Sequence, residues 1–226
     1  MSENREPSEP RADDFYLGLP QQTLDAYRAI GRYFVTFSDL IGFMLGAVLT
    51  EITWEDELRH ELLHMTLGQL GAQGTVDAFF AIGRRVADPK LDHDDREIER
   101  VLRNQVNQTI RRRNVIAHGD WIVDDLPDVS SAPLDDPSEH GSILGRVRAS
   151  SISQPFHHEI LSAADIDAET EEMRGLEMMI VRFCGVCMKH AARLDSPHPP
   201  GTRLRDHFRV LGSANARYVD LRLPEV

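Results

Sequence analysis

The stretch Arg111-Arg112-Arg113-Asn114-Val115-Ile116-Ala117-His118-Gly119-Asp120-Trp121 gathers three guanidiniums, a carboxamide and an imidazole. Arginine is a planar fork that grips a phosphate through parallel hydrogen bonds. Histidine gives and takes a proton near neutral pH. Together they suit phosphodiester cleavage without a metal, histidine moving the proton and arginine stabilising charge on phosphorus. On a continuous helix Asn114 and His118, four apart, share a face. Arg113 lies about 140° round the wheel from His118, so its long side chain or a second subunit must close the gap. Gly119 lets the chain turn out of the helix. The plainer alternative is that Arg111 to Arg113 complement the negative end of a helix and His118 caps it.

Three other constellations carry candidate chemistry. His60-Glu61-Leu62-Leu63-His64 has the H-E-x-x-H spacing, in which two histidines on one helical face hold zinc and the glutamate activates water. The extended pattern wants glycine at 67 and histidine at 70, where this chain has Leu67 and Leu70. His60 and His64 are therefore metal ligands only if a third ligand arrives from elsewhere. Cys184-Gly185-Val186-Cys187, with His190 beyond, could line one side of a helix. A redox pair opens a helix after a strand, which this one does not, and buried small residues are the favoured reading. His157-His158 has no evident partner and is assigned no chemistry.

These residues must be positioned by a chain of 226 residues, 41% hydrophobic, which suffices for one domain with a core. The formal net charge of -12 argues against nucleic acid binding over the whole surface and confines any such contact to a local basic patch. Two cysteines are too few for a disulfide framework. The polar N-terminus has no apolar core of the kind a signal peptide needs. The longest apolar run, Leu40 to Leu49, is shorter than the roughly 20 residues of a membrane span, and Asp39 and Glu51 close it off. The expectation is a cytoplasmic protein with no membrane contact and no cofactor.

Residues 1–20, rich in proline and charge, read as a disordered tail. From Gln21 to about Ile52, Leu24, Tyr27, Ile30, Phe34, Phe37, Ile41, Leu45 and Val48 recur at helical spacing. Gly42 and Gly46 on that helix invite close approach by another helix, either within the fold, the favoured reading, or across a dimer. A second helical segment from about Glu55 to Val86 has a weak point at Gly68, Gly71 and Gly74 and stops at Asp88-Pro89. A third, from near Asp94, carries Ile98, Val101, Leu102, Val106 and Ile110 into the arginine–histidine stretch. Residues 120–139 form an acidic insertion, read as a solvated loop, with short strands expected at Trp121–Val123 and Ile143–Ser151. A fourth helix, capped by Ser162 or Asp165, runs to about Leu194, and residues 195–226 read as a tail in which Phe208 to Leu211 could dock. The expected fold is mainly α: an antiparallel helical bundle over residues 21–194 with the irregular insertion before its last long helix.

Arg113-Asn114-Val115-Ile116-Ala117-His118 resembles the signature of the HEPN superfamily: arginine, a polar residue, three further positions, then histidine. The helical context fits over roughly residues 21–194, and the extension His-Gly-Asp-Trp is similar to bacterial HEPN-like proteins of unassigned role. The resemblance implies a metal-independent endoribonuclease of bacterial stress or phage defence, whose homodimer joins two motifs in one cleft. It also implies an RNA substrate and an antitoxin or defence-system partner. On it, His118 is the general acid/base, Arg113 holds the scissile phosphate and Asn114 orients one of them. Arg111 and Arg112 fall outside the signature and are auxiliary RNA contacts. The products would carry 2′,3′-cyclic phosphate and 5′-hydroxyl ends. The alternative is a HEPN-fold module that binds RNA or protein without cutting, to which the net charge and the acidic insertion incline.

Overall fold

The computed structural model describes residues 21–53, 57–87, 89–117, 120–123, 143–148, 157–188, 190, 202–213 and 216–221. Among these, the fold is mainly α. Four helices, α1 (Gln21–Thr53), α2 (Glu57–Leu67), α3 (Ala72–Val86) and α4 (His93–Ala117), precede strands β1 (Asp120–Val123), β2 (Ile143–Arg148) and β3 (His157–Ser162). Helix α5 (Ala163–Cys187), the single turn α6 (Leu204–His207) and the hairpin β4 (Phe208–Ser213) and β5 (Ala216–Leu221) follow. The chain divides into two compact units, residues 1–33 with 119–169 and residues 34–118 with 170–226.

The first unit holds the sheet, in the antiparallel order β1-β2-β3. The expected strands over 121–123 and 143–151 are present, the second ending at Arg148. The third, which pairs Ile143 with Ser162 and Arg148 with His157, was not anticipated, because His157-His158 and its neighbours lack a clear alternation. Ser162 and Asp165 cap α5 reciprocally: the Asp165 N–H donates to Ser162 Oγ at 3.1 Å and the Ser162 N–H to Asp165 Oδ2 at 2.7 Å. Arg32 grips Asp167 through both carboxylate oxygens, each 2.7 Å from one Nη. The expected tail 1–20 and most of the acidic insertion, 124–139, lie outside the described residues.

The second unit is a helical bundle around Phe79, Phe80 and Phe183, whose ring centroids lie 5.1–5.6 Å apart. Leu40, Met44, Val76, Leu102, Val106 and Ile180 complete this core. Gly83 permits the closest approach in it, since a Cβ there would stand 2.8 Å from the Phe183 ring. The expected second helix is two, α2 and α3, broken across Gly68–Gly71 as the glycine cluster foretold. Helix α5 ends at Cys187 rather than near Leu194.

Two expectations are corrected. The buried stripe of α1 within this unit is Thr36, Phe37, Leu40, Met44, Ala47 and Val48, rotated from the expected one, and Phe34, Ile41 and Leu45 are only half-buried. Phe37 and Val48 belong to both stripes, while Leu40, Met44 and Ala47 take the buried places the expectation gave to Ile41 and Leu45. Second, residues 202–221 are no tail. Leu204, Phe208 and Val219 are buried, and the Val219 N–H donates to Gln105 Oε1 of α4 at 2.8 Å. Phe208 does dock, as its apolar neighbours suggested, and Gly212 at φ 91° supplies the left-handed residue where β4 turns toward β5.

By length and composition α1 could also cross a membrane: an 18-residue window has mean hydropathy 1.6. The expectation drawn from the run Leu40 to Leu49 missed this, because alanine, glycine and valine extend the apolar average beyond the run. Helices at the core of water-soluble folds pass the same test, and 44% of this window is buried inside the fold.

Candidate functional site

Helix α4 positions the arginine–histidine stretch. Its N-terminus is fixed by reciprocal caps: the Asp95 N–H donates to Asp92 Oδ1 at 3.1 Å and the Asp92 N–H to Asp95 Oδ2 at 3.3 Å. Acids there oppose the positive end of the helix dipole. Ile98, Val101, Leu102, Val106 and Ile110 then seat one face in the core. Arg113 follows Ile110 by three residues, so it rises on the edge of that buried face and is itself half-buried.

The Arg113 guanidinium carbon stands 5.4 Å from the Phe34 ring centroid and 5.7 Å from that of Phe37, both on α1. Nη1 donates to Asn114 Oδ1 at 3.3 Å. Nε is shut off from solvent and has no hydrogen-bond partner. Among the described residues no carboxylate pairs with Arg113. Elsewhere in this acidic chain arginines do find acids: Arg32 with Asp167, Arg84 with Glu99, Arg103 with Asp77, Arg203 with Asp95 and Arg209 with Asp220. Two aromatic faces hold a cation without neutralising it, and a buried N–H left without an acceptor costs about 1–3 kcal/mol. The seat therefore leaves the guanidinium on two rings and incompletely bonded.

Beside this seat lies a groove of about 680 Å³ lined by Phe37, Ile41, Gly42 and Leu45 of α1, Leu70 of the α2–α3 turn, and Ile110, Arg113 and Asn114 of α4. It also takes in the start of α3, whose N-cap, Gly71, makes no side-chain cap, with no acid in the first turn. A Cβ built on Gly42 or Gly46 meets nothing within 4 Å. The expectation that another helix of the fold packs there is thus not met among the described residues; Gly42 instead forms part of the groove wall.

Arg113 and Asn114 are therefore together at the groove, Arg111 is exposed on the helix and Arg112 half-buried. His118 and Gly119 lie outside the described residues; α4 is described as far as Ala117. Glu61 and His64 are exposed on α2, and the His60 side chain lies outside the described set. Among the described residues no three His, Cys, Asp or Glu side chains gather as a metal site would require. Cys184 and Cys187 are buried thiols outside any disulfide, and burial pushes the Cys187 thiol well above its ordinary range, which suits packing and not redox chemistry. The His190 N–H is held by Glu51 Oε2 at 2.8 Å. Sequence reasoning missed the role of Phe34 and Phe37, which it counted as core; nothing in the local pattern links them to an arginine so far along the chain.

Compared with known proteins, the chain matches no family model, no curated protein and no solved structure.

Proposed function

We propose that the chain is a metal-independent endoribonuclease of the HEPN type. The observation that carries this reading is Arg113: a guanidinium with no carboxylate among the described residues, in a chain of net charge -12, seated on two aromatic rings at the rim of a groove. Its unbonded Nε makes the resting seat a poor final state once a phosphate is offered, because swinging outward exchanges an unsatisfied donor for a two-point grip. Asn114, already bonded to Arg113 Nη1, steers that swing. His118, one residue past the described end of α4, is the proton carrier. The 2′-oxygen of the RNA attacks phosphorus, the bond from phosphorus to the 5′-oxygen breaks, the 2′-hydroxyl loses its proton and the leaving 5′-oxygen gains one. Two copies of His118 in a homodimer divide these transfers. Arg111 and Arg112 add phosphate contacts. A cytoplasmic setting in bacterial stress or phage defence, with an antitoxin or defence partner, completes the reading.

The net charge favours a second reading, a HEPN-fold module that binds RNA or protein without cutting. Product analysis separates the two. Incubated with single-stranded RNA in excess EDTA, the protein is expected to leave 2′,3′-cyclic phosphate and 5′-hydroxyl ends. Ends bearing 5′-phosphate would overturn the mechanism, and RNA bound but uncut would favour the module.

A further inference from the structure

We propose that the groove beside Arg113 is a subsite for one unpaired nucleotide of the RNA, its phosphate on Arg113 and its base in the apolar half of the groove. The inference rests on the ribonuclease reading for its choice of RNA, but the groove stands on its own geometry. Its volume of about 680 Å³ falls within the ~300–1,000 Å³ typical of small-ligand sites. The lining is divided. Arg113 and Asn114 supply a cation and a carboxamide, with Phe37 against the guanidinium, while Ile41, Leu45 and Leu70 supply apolar wall. Leu70, 40% exposed, is accessible to a ligand. A ligand that meets both kinds of lining carries an anion and, on a short linker, a flat ring with apolar faces, which describes a nucleotide. A paired base could not enter, because its ring would still be stacked in a duplex, so the subsite selects single strands.

The groove has a built-in lever. Gly42 forms part of the wall, and a side chain placed there meets no atom of the fold within 4 Å, so it would fill the groove without disturbing the helix. Gly46, a turn further along α1, is equally open but lies off the groove. Leucine replaces glycine in a helix interior favourably at either place, so both variants are expected to melt no lower than the wild type.

The experiment measures binding of fluorescein-labelled 2′-O-methyl hexa-adenylate, which cannot be cut, to wild type, Gly42→Leu and Gly46→Leu, with inorganic phosphate as competitor. The expected result is binding at least tenfold weaker for Gly42→Leu, unchanged for Gly46→Leu, and phosphate competing with the wild type far less well than the unlabelled hexanucleotide. Equal binding by all three proteins, equal loss in both variants, or no binding by the wild type would overturn the subsite. Cleavage of ordinary RNA is followed in parallel. A wild type that cuts while Gly42→Leu binds normally refutes the subsite and leaves the nuclease; a wild type whose binding depends on Gly42 but which cuts nothing refutes the nuclease and leaves the subsite.

Discussion

At the N-terminal end of α4, Arg203 lies 3.2 Å from buried Asp95 and donates to the Lys90 carbonyl at 2.9 Å, while Arg205 lies 3.0 Å from Asp92. At the C-terminal end of the same helix, Arg113 has two rings, one carboxamide and a stranded Nε. The same side chain serves two purposes. Where carboxylates meet the guanidinium, arginine ties the start of α6 to the N-terminal end of α4. Where the match is left incomplete, it stays available to an anion from outside. With more acids than bases in the chain, a half-buried guanidinium with no carboxylate among the described residues runs against what the composition makes easy, and the proposal rests on that contrast.

Substitutions at the two ends test this contrast. The largest effect is expected on catalysis: Arg113→Ala should lower RNA cleavage by about a hundredfold or more, the scale of losing one charge-stabilising group, with an unfolding midpoint close to that of the wild type in urea. Arg203→Ala should do the reverse. Leaving Asp95 buried without its partner should cost about 3 kcal/mol of stability while cleavage well below the melting temperature is retained. If both variants lost stability equally, the two ends would not differ in kind. Within the core, Gly83→Ala drives a methyl into the Phe183 ring and should destabilise by about 1–3 kcal/mol in the same titration. Gly42→Ala, with open space around it, should stabilise by about 0.5–1 kcal/mol.

The smallest effect concerns the paired arginines between the two ends. Burial raises the Glu99 carboxyl, against the pull of nearby Arg84. The folded state therefore holds the proton more tightly than the unfolded chain. Glu99 favours folding most below the ordinary glutamate value, and that advantage is lost as pH rises through the raised one. Glu99→Gln should flatten this part of the stability profile, seen as a melting-temperature gain over wild type at pH 7 that shrinks toward pH 4. Asp77 has the opposite sign. Its hydrogen bond from Arg103 lowers the carboxyl, so its contribution is present at neutral pH and fades as pH falls through the folded value.

The same contrast governs what could be read from the sequence. Helices α3 to α5, the break at the glycine cluster, the Ser162–Asp165 cap and the mainly α class were legible because each depends on neighbours in the chain. The Asp95–Arg203 tie and the Val219–Gln105 bond that docks the β4–β5 hairpin on α4 were not, because they join residues more than a hundred positions apart. The proline-rich run before them also imitates the start of a tail. At the candidate site, the residue types Arg113 and Asn114 were visible by spacing, but their seat on Phe34 and Phe37 was hidden, since a half-buried aromatic and a core aromatic share the same helical period.

The most direct test of the ribonuclease account is cleavage of a structured RNA pool in excess EDTA by wild type, Arg113→Ala and His118→Ala, each confirmed folded by thermal melting. The account predicts cleavage by the wild type and loss in both variants. Cleavage undiminished in His118→Ala, or dependent on added zinc, would contradict it.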